Sequence, residues 1–370
     1  MPVTLKPWLF IALCVGLLAC GPQVPVQAPQ TVIDLPANGE IGGALSGGPE
    51  TPVALETDYL DGTDWPAAEL ASGDAYLDCG ARPELDEGRI ADAADAVEWV
   101  EPGNVLLKDL SFAALEQAVG TCAASNRLRL HYSGKIATDF TTLMERVAKI
   151  ATRKQIDERV LDIDSAGGHV EDAMKSGDAI GASRWTVRVS PDANCHSACV
   201  LILAAGDHRD IAGRVGVHRM LRVGSAATTR AELTQELREV YAQMKDYLER
   251  NGAAVTIADL MMTVPNRKLR LLTREELMEY GLEGANAVQD DLERIQLARK
   301  CGDDFVRRKD DYDRAFTRQC ANIGQDLEAK QSCGLELLEG FGFPDDKCPV
   351  ESPLSQQEVK PAATDQAGLE

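Results

Sequence analysis

The stretch that decides the fold runs from Arg159 to His218 and reads RVLDIDSAGGHVEDAMKSGDAIGASRWTVRVSPDANCHSACVLILAAGDHRDIAGRVGVH. RVLDID is a strand pattern that ends in small residues and a glycine pair. HVEDAMKSGDAI follows with Val170, Ala173, Met174, Gly177 and Ile180 at helical spacing. WTVRVS is a second strand, SACVLILAAG a helix too apolar to be exposed, and GRVGVH a third strand. Strands alternating with helices at this spacing predict right-handed crossovers and an α/β fold with a mainly parallel core sheet. The chemistry of such a sheet is expected beyond the carboxyl ends of its strands.

Working outward, LRLHYSGKI is a strand broken at Gly134. Phe140, Leu143, Val147 and Ile150 then mark a helix with Thr138 or Asp139 as its N-cap. Beyond His218 a long amphipathic helix spans residues 229–250, with a capping box from Thr229 and Glu232. Such a helix suits pairing with a second copy of the chain or packing on its own domain. Thr273 and Glu276 form a second capping box, and Gly281 suits the residue that ends that helix.

The first twenty residues, MPVTLKPWLFIALCVGLLAC, carry one lysine and then an uncharged run, too short for a comfortable membrane span. The ending Leu17-Leu18-Ala19-Cys20 resembles the lipobox of bacterial lipoproteins. That resemblance implies cleavage after residue 19, a diacylglycerol thioether on Cys20, and a place on the periplasmic side of the cell envelope, held at the outer membrane. Residues 20–60 are rich in Pro, Gly and small residues and read as a flexible tether, and residues 61–126 as an acidic region. Residues 127–284 hold the patterned domain, 285–350 a cysteine-containing helical region, and 351–370 a disordered tail.

Thirty-eight basic against 59 acidic residues give a net charge of -21, which repels polyanions and argues against nucleic acid or an anionic bilayer as a partner. Contact with the membrane is expected through the lipid alone. Of ten cysteines, Cys14 leaves with the signal and Cys20 goes to lipid. The remaining eight, Cys79, Cys122, Cys195, Cys199, Cys301, Cys320, Cys333 and Cys348, suit disulfides in an exported chain. Cys79 with Cys122 would staple the acidic region to itself. The last four permit three connectivities. Cys195 and Cys199 could bridge and rigidify the loop between them, or each could pair elsewhere.

Ser197 is the candidate nucleophile, since it lies between a polar loop and an apolar helix. A serine in that place also commonly caps the helix. A hydroxyl is a poor nucleophile near neutral pH and needs a base. His218 closes the next strand, and a buried core histidine is its plainer reading. The glycine pair offers unhindered N–H groups, so Gly168 and Ala198 are the expected oxyanion donors. No cofactor is expected, and no metal: His196, His208, His218 and Cys195 are scattered over different elements. Asp162 and Asp164 read as strand-end hydrogen bonders rather than an acid/base pair.

The segments DSAGGHVEDAMKSGDAI, HSACVLILAAGDHR, GRVGVHR and LTREELMEYGL, in this order, resemble the Clp protease proteolytic subunit and its crotonase-like superfamily, in an exported cysteine-containing branch. The resemblance covers residues 128–282. It implies a Clp protease- and crotonase-like fold, a serine protease with Ser197 as nucleophile and His218 as base, oxyanion amides at Gly168 and Ala198, a handle helix at 229–250 and homo-oligomers. The family's aspartate has no match between Asp259 and Glu275. Asn266 is the nearest candidate to orient His218, with Asp259 the alternative. The expected activity is an ATP-independent envelope peptidase acting on a polypeptide. The alternative is an inactive assembly or binding protein that engages a partner protein.

Overall fold

The computed structural model describes residues 31–34, 45–46, 65–80, 105–222, 225–320, 323 and 327–354. The signal segment, Cys20, most of the tether and the tail from residue 355 lie outside them. In chain order the strands are β1 (Val32–Asp34), β2 (Leu45–Ser46), β3 (Gly73–Asp78), β4 (Val105–Leu106), β5 (Arg127–Gly134), β6 (Glu158–Asp164) and β7 (Thr186–Val189). They continue with β8 (Asn194–His196), β9 (His208–Ile211), β10 (Arg214–Val217), β11 (Leu221–Arg222), β12 (Lys268–Leu271) and β13 (Gly284–Ala285). The helices are α1 (Phe112–Gly120), α2 (Thr138–Arg153), α3 (Val170–Gly181), α4 (Cys199–Ala204), α5 (Arg230–Arg250), α6 (Thr256–Thr263), α7 (Arg274–Glu279), α8 (Ala287–Cys301), α9 (Asp303–Gln319) and α10 (Leu327–Gly340).

The main sheet has seven strands in the order β13-β9-β7-β6-β5-β3-β4. Its centre, β5 to β6 to β7 to β9, is parallel. Its margins, β13 on β9 and β3 on both β5 and β4, are antiparallel. A second sheet has the order β1-β12-β10-β8, in which only β10 and β8 run parallel. The expected Clp protease- and crotonase-like architecture with a mainly parallel core sheet is therefore corrected to a mixed α/β arrangement. The reason is topological: crossover helices enforce parallel pairing only within consecutive strand–helix–strand units. β3, β4 and β13 enter from outside that run, and GRVGVH becomes β10 of the second sheet. β1 and β2 fall inside the stretch read as a tether; β1 edges the second sheet, and β2 pairs with β11.

α2 shows why these residues form their element. Phe140, Leu143, Met144, Val147, Ile150 and Ala151 make one buried face against the sheet. α1 packs beside it, with Ser111 accepting the Ala114 N–H as N-cap and with Leu115 and Val119 buried. Both expected capping boxes are present, Thr229 with Glu232 and Thr273 with Glu276. Four disulfides join Cys79 to Cys122, Cys195 to Cys199, Cys301 to Cys348 and Cys320 to Cys333. A separate small core of Phe305, Tyr312 and Phe343 lies under the C-terminal helices. Among the described residues, no helix is long and apolar enough to cross a membrane.

Asp139, in the first turn of α2, ties the N-terminal region to this domain. Its carboxylate accepts the N–H groups of Ala71 and Ser72, both at 2.7 Å, and that of Phe140 at 2.9 Å. Burial opposes its ionisation, but the bonds from Ser72, Ala71 and Phe140 outweigh it and hold the carboxyl below its ordinary pKa. A carboxyl with a depressed folded pKa stabilises above its unfolded pKa, about 4, and the contribution is lost as pH falls through the folded value. Asp139→Ala should cost about 1–3 kcal/mol at pH 7, as expected for hydrogen bonds to a charged group. The deficit should shrink towards pH 2 in denaturant titrations.

Candidate active site

Three strand ends converge where the two sheets meet. β6 ends at Asp164, and the chain turns through Ser165, Ala166, Gly167 and Gly168 into α3. The Ser165 N–H donates to the Asn194 carbonyl at 2.7 Å, and the His196 N–H donates to the Ser165 carbonyl at 2.9 Å. These two bonds seam the end of β6 to β8. The Ser165 hydroxyl accepts the Gly167 N–H at 3.1 Å and so shapes the turn.

The glycine pair is required by close approach. Gly167 has φ +107°, and a Cβ there would lie 2.8 Å from both the Ser197 Cβ and the His196 carbonyl, and 3.2 Å from the Ala198 nitrogen. A Cβ on Gly168 would meet the Ile136 carbonyl oxygen at 2.0 Å. The Ile136 N–H donates to the Gly167 carbonyl and the His169 N–H to the Ile136 carbonyl, at 3.0 and 2.9 Å. This parallel bridge engages the residues either side of Gly168 and leaves the Gly168 N–H out of the ladder. Gly167, which sequence reasoning passed over in favour of Gly168, is thus the residue pressed against Ser197 and Ala198.

Ser197 follows β8 directly and is fully buried at φ +61°, in the left-handed region that a residue with a Cβ rarely occupies. Its N–H donates to the Gly216 carbonyl of β10 at 2.8 Å. It is not the helix N-cap: that position belongs to Ala198, without a side-chain cap, and α4 starts at Cys199. The Ser197 hydroxyl has no hydrogen-bond partner among the described residues. A buried orphan hydroxyl on a strained strand-to-helix turn is costly to stability, and such features cluster at functional sites.

His218 follows β10, whose parallel register sets Gly216 opposite His196. Ser197 and His218 therefore extend adjacent parallel strands, and His218 is also buried. Its Nδ1 lies 3.0 Å from the Arg219 carbonyl oxygen. A carbonyl can only accept, so Nδ1 carries a hydrogen and donates it. The backbone behind it is fixed to α6 by Arg219 N–H to the Val264 carbonyl at 2.6 Å and Met220 N–H to the Met261 carbonyl at 2.8 Å. Asn266 sits two residues beyond Val264, in the turn before β12. Asp259, on exposed α6 surface, accepts the Tyr241 hydroxyl. The orienting contact on Nδ1 is thus a backbone carbonyl, which has no signature in a sequence.

His196 is the residue that sequence reasoning treated only as a stray metal ligand. Its Nε2 is buried and without a hydrogen-bond partner among the described residues. Burial first, then the Arg214 guanidinium and the His218 imidazole, push it down to about 4, against the pull of Asp164. It is neutral at neutral pH. Asp162 is ion-paired with Arg129 and lies 3.2 Å from His131, while Asp164 accepts the Asn194 N–H at 2.9 Å. Both carboxylates are spent on structure. Cys195 is in a disulfide and no thiolate ligand, and no group of three or more metal-ligating side chains occurs among the described residues.

Because His196 binds its proton less readily folded than unfolded, its neutral burial favours the native state above about pH 6.5, and that advantage fades as pH falls towards 4. The loss should reach up to about 3 kcal/mol. His196→Asn should flatten the stability profile between pH 6.5 and 4, as read by denaturant unfolding.

No family model matches the chain, and neither does any curated protein. Among solved structures, it is similar to the 1510-N membrane-bound stomatin-specific protease in a serine-to-alanine mutant form. The match has 20% identity and a TM-score of 0.34, over 44% of this chain and 81% of that one. A lysine-to-alanine mutant of the same protease, in complex with a substrate peptide, matches with the same identity and TM-score over 44% and 76%. The expected membership in the Clp protease and crotonase-like group is corrected, since no family model matches the chain and its sheets are mixed. The descriptions Clp-like, crotonase-like and serine protease drawn from that resemblance go with it. A likeness of this extent assigns no residue and no activity.

Proposed function

We propose that this chain is an ATP-independent hydrolase of peptide bonds that uses Ser197 as nucleophile. One observation carries the reading: the fully buried, unpartnered Ser197 hydroxyl at φ +61°, one strand away from His218 and packed on Gly167. In this reading the Ser197 Oγ attacks the scissile carbonyl carbon as its proton passes to Nε2 of His218. The N–H groups of Gly168 and Ala198 hold the oxyanion; neither has a hydrogen-bond partner among the described residues. One such donor is commonly worth about 3 kcal/mol in the transition state. Collapse expels the amine, which takes the proton from His218, and water then hydrolyses the acyl ester by the reverse path. The Arg219 carbonyl holds the imidazole in its tautomer. A carbonyl stabilises imidazolium less than a carboxylate does, so a slow enzyme is expected. Neither Asn266 nor Asp259 is given a role in this mechanism.

In the same proposal the chain is held in the bacterial envelope by lipid on Cys20. Copies meet through the exposed first half of α5, where Leu233 is 38% exposed while Leu237, Val240, Met244 and Leu248 are buried in the chain's own core. Leu233→Glu should lower the sedimentation coefficient towards that of a monomer and leave the thermal midpoint unchanged.

A second reading, an inactive assembly or binding protein of the same fold, is favoured by the burial of His218 and by a backbone carbonyl, in place of a carboxylate, at its Nδ1. Fluorophosphonate labelling separates the two. The hydrolase should be modified at Ser197, with labelling abolished in Ser197→Ala and slowed about 100-fold or more in His218→Ala. A folded wild-type protein that stays unlabelled while a control hydrolase reacts sinks the catalytic reading.

A further inference from the structure

We infer that the Cys195–Cys199 disulfide is a positioning group for Ser197: it holds the strand-to-helix turn in the left-handed conformation that presents the hydroxyl. Cys195 is the middle residue of β8 and Cys199 the first residue of α4, so the bridge closes a covalent ring over His196, Ser197 and Ala198. Both cysteines are fully buried.

The two sides of the turn are held differently. On the entry side, the His196 N–H is bonded to Ser165 and the Ser197 N–H to Gly216, which fixes where the strand ends. On the exit side, α4 has six residues, its cap Ala198 offers no side-chain bond, and its first turn is closed by Val200 to Ser197 and Leu201 to Ala198 contacts at 3.1 Å. Among the described residues no hydrogen bond ties Cys199 back to β8, so the disulfide makes that link, while the Tyr247 hydroxyl holds the Leu201 carbonyl to α5 at 2.7 Å. A left-handed serine persists only where its surroundings over-determine it. Without the bridge the turn is free to relax to negative φ by a small rotation of the first helical turn.

The four disulfides also differ in what they do for the unfolded chain. Three close loops of 43, 47 and 13 residues, whereas this one spans 4. Entropic stabilisation grows with loop length, so this bridge contributes least to global stability. Its effect is local.

The kinetic consequence rests on the reading of Ser197 as nucleophile; the conformational claim does not. The test compares the full oxidised protein with Cys195→Ala/Cys199→Ala, and with Cys320→Ala/Cys333→Ala as control, by crystal structure, thermal unfolding and fluorophosphonate kinetics. The double variant at 195 and 199 should lose the left-handed φ at Ser197 while unfolding no earlier than the control. Its maximal inactivation rate should fall about tenfold to a hundredfold with little change in the reagent's apparent affinity. Adding Ser197→Gly should restore any lost thermal stability, because glycine accepts the left-handed turn unaided. Retention of φ near +61° in the double variant, or labelling at the wild-type rate, overturns the inference. So does a double variant that fails to fold with and without Ser197→Gly, since the bridge is then a general structural staple. If φ changes in the variant but wild type is never labelled, the hydrolase reading falls and the positioning role stands.

Discussion

The molecule depends on the seam made by two backbone hydrogen bonds, Ser165 to Asn194 and His196 to Ser165. Each sheet satisfies its own ladders, and the seam is a point at which one sheet reads the position of the other, joined by the Asn194 N–H to the Asp164 carboxylate and the Gly213 N–H to the Val189 carbonyl. It brings the turn after β6 against the turn after β8, and the parallel pairing of β8 with β10 then carries His218 alongside. Ser197, His218 and the amides of Gly168 and Ala198 thus come from three strand ends without any long side chain reaching across. Backbone bonds are short and directional, which suits a site whose parts must agree to within a fraction of an ångström.

Much of the local structure was legible because periodicity and caps are local facts. β5, α2, α3 and α5 follow the apolar spacing of their residues, and Thr229 and Thr273 cap where their side chains suggest, whereas the cap of α2 is Ala137, without a side-chain bond, and not the expected Thr138 or Asp139. Sheet membership was not legible. The pattern GRVGVH marks a strand, but nothing in it says that its neighbours are β8 and an antiparallel β12 rather than the main sheet. The family likeness failed at the same level: matching segments in matching order still leave the edge strands undetermined.

The site divides along the same line. Ser197, His218 and the glycines could be singled out because hydroxyl, imidazole and missing Cβ are properties of residue types. The left-handed turn at Ser197 could not, since serine carries no mark of it. The partner of His218 Nδ1 carries no mark either, since it is the carbonyl of Arg219, and every residue has a carbonyl. His196 was undervalued for the opposite reason: its burial depends on the seam, and the seam is a tertiary fact.

The edge strand β1 bears on where such a site can work. Its antiparallel pairing with β12 fixes the chain to the folded body at Val32. With lipid on Cys20, the residues from there to Thr31 could span no more than about 40 Å even when fully extended. Were the proposed lipid present, the folded body would be confined to a thin shell of space beside the bilayer. For the proposed hydrolase, the chains within reach would be those that emerge from or lie against that surface, and local concentration there would set the rate of encounter.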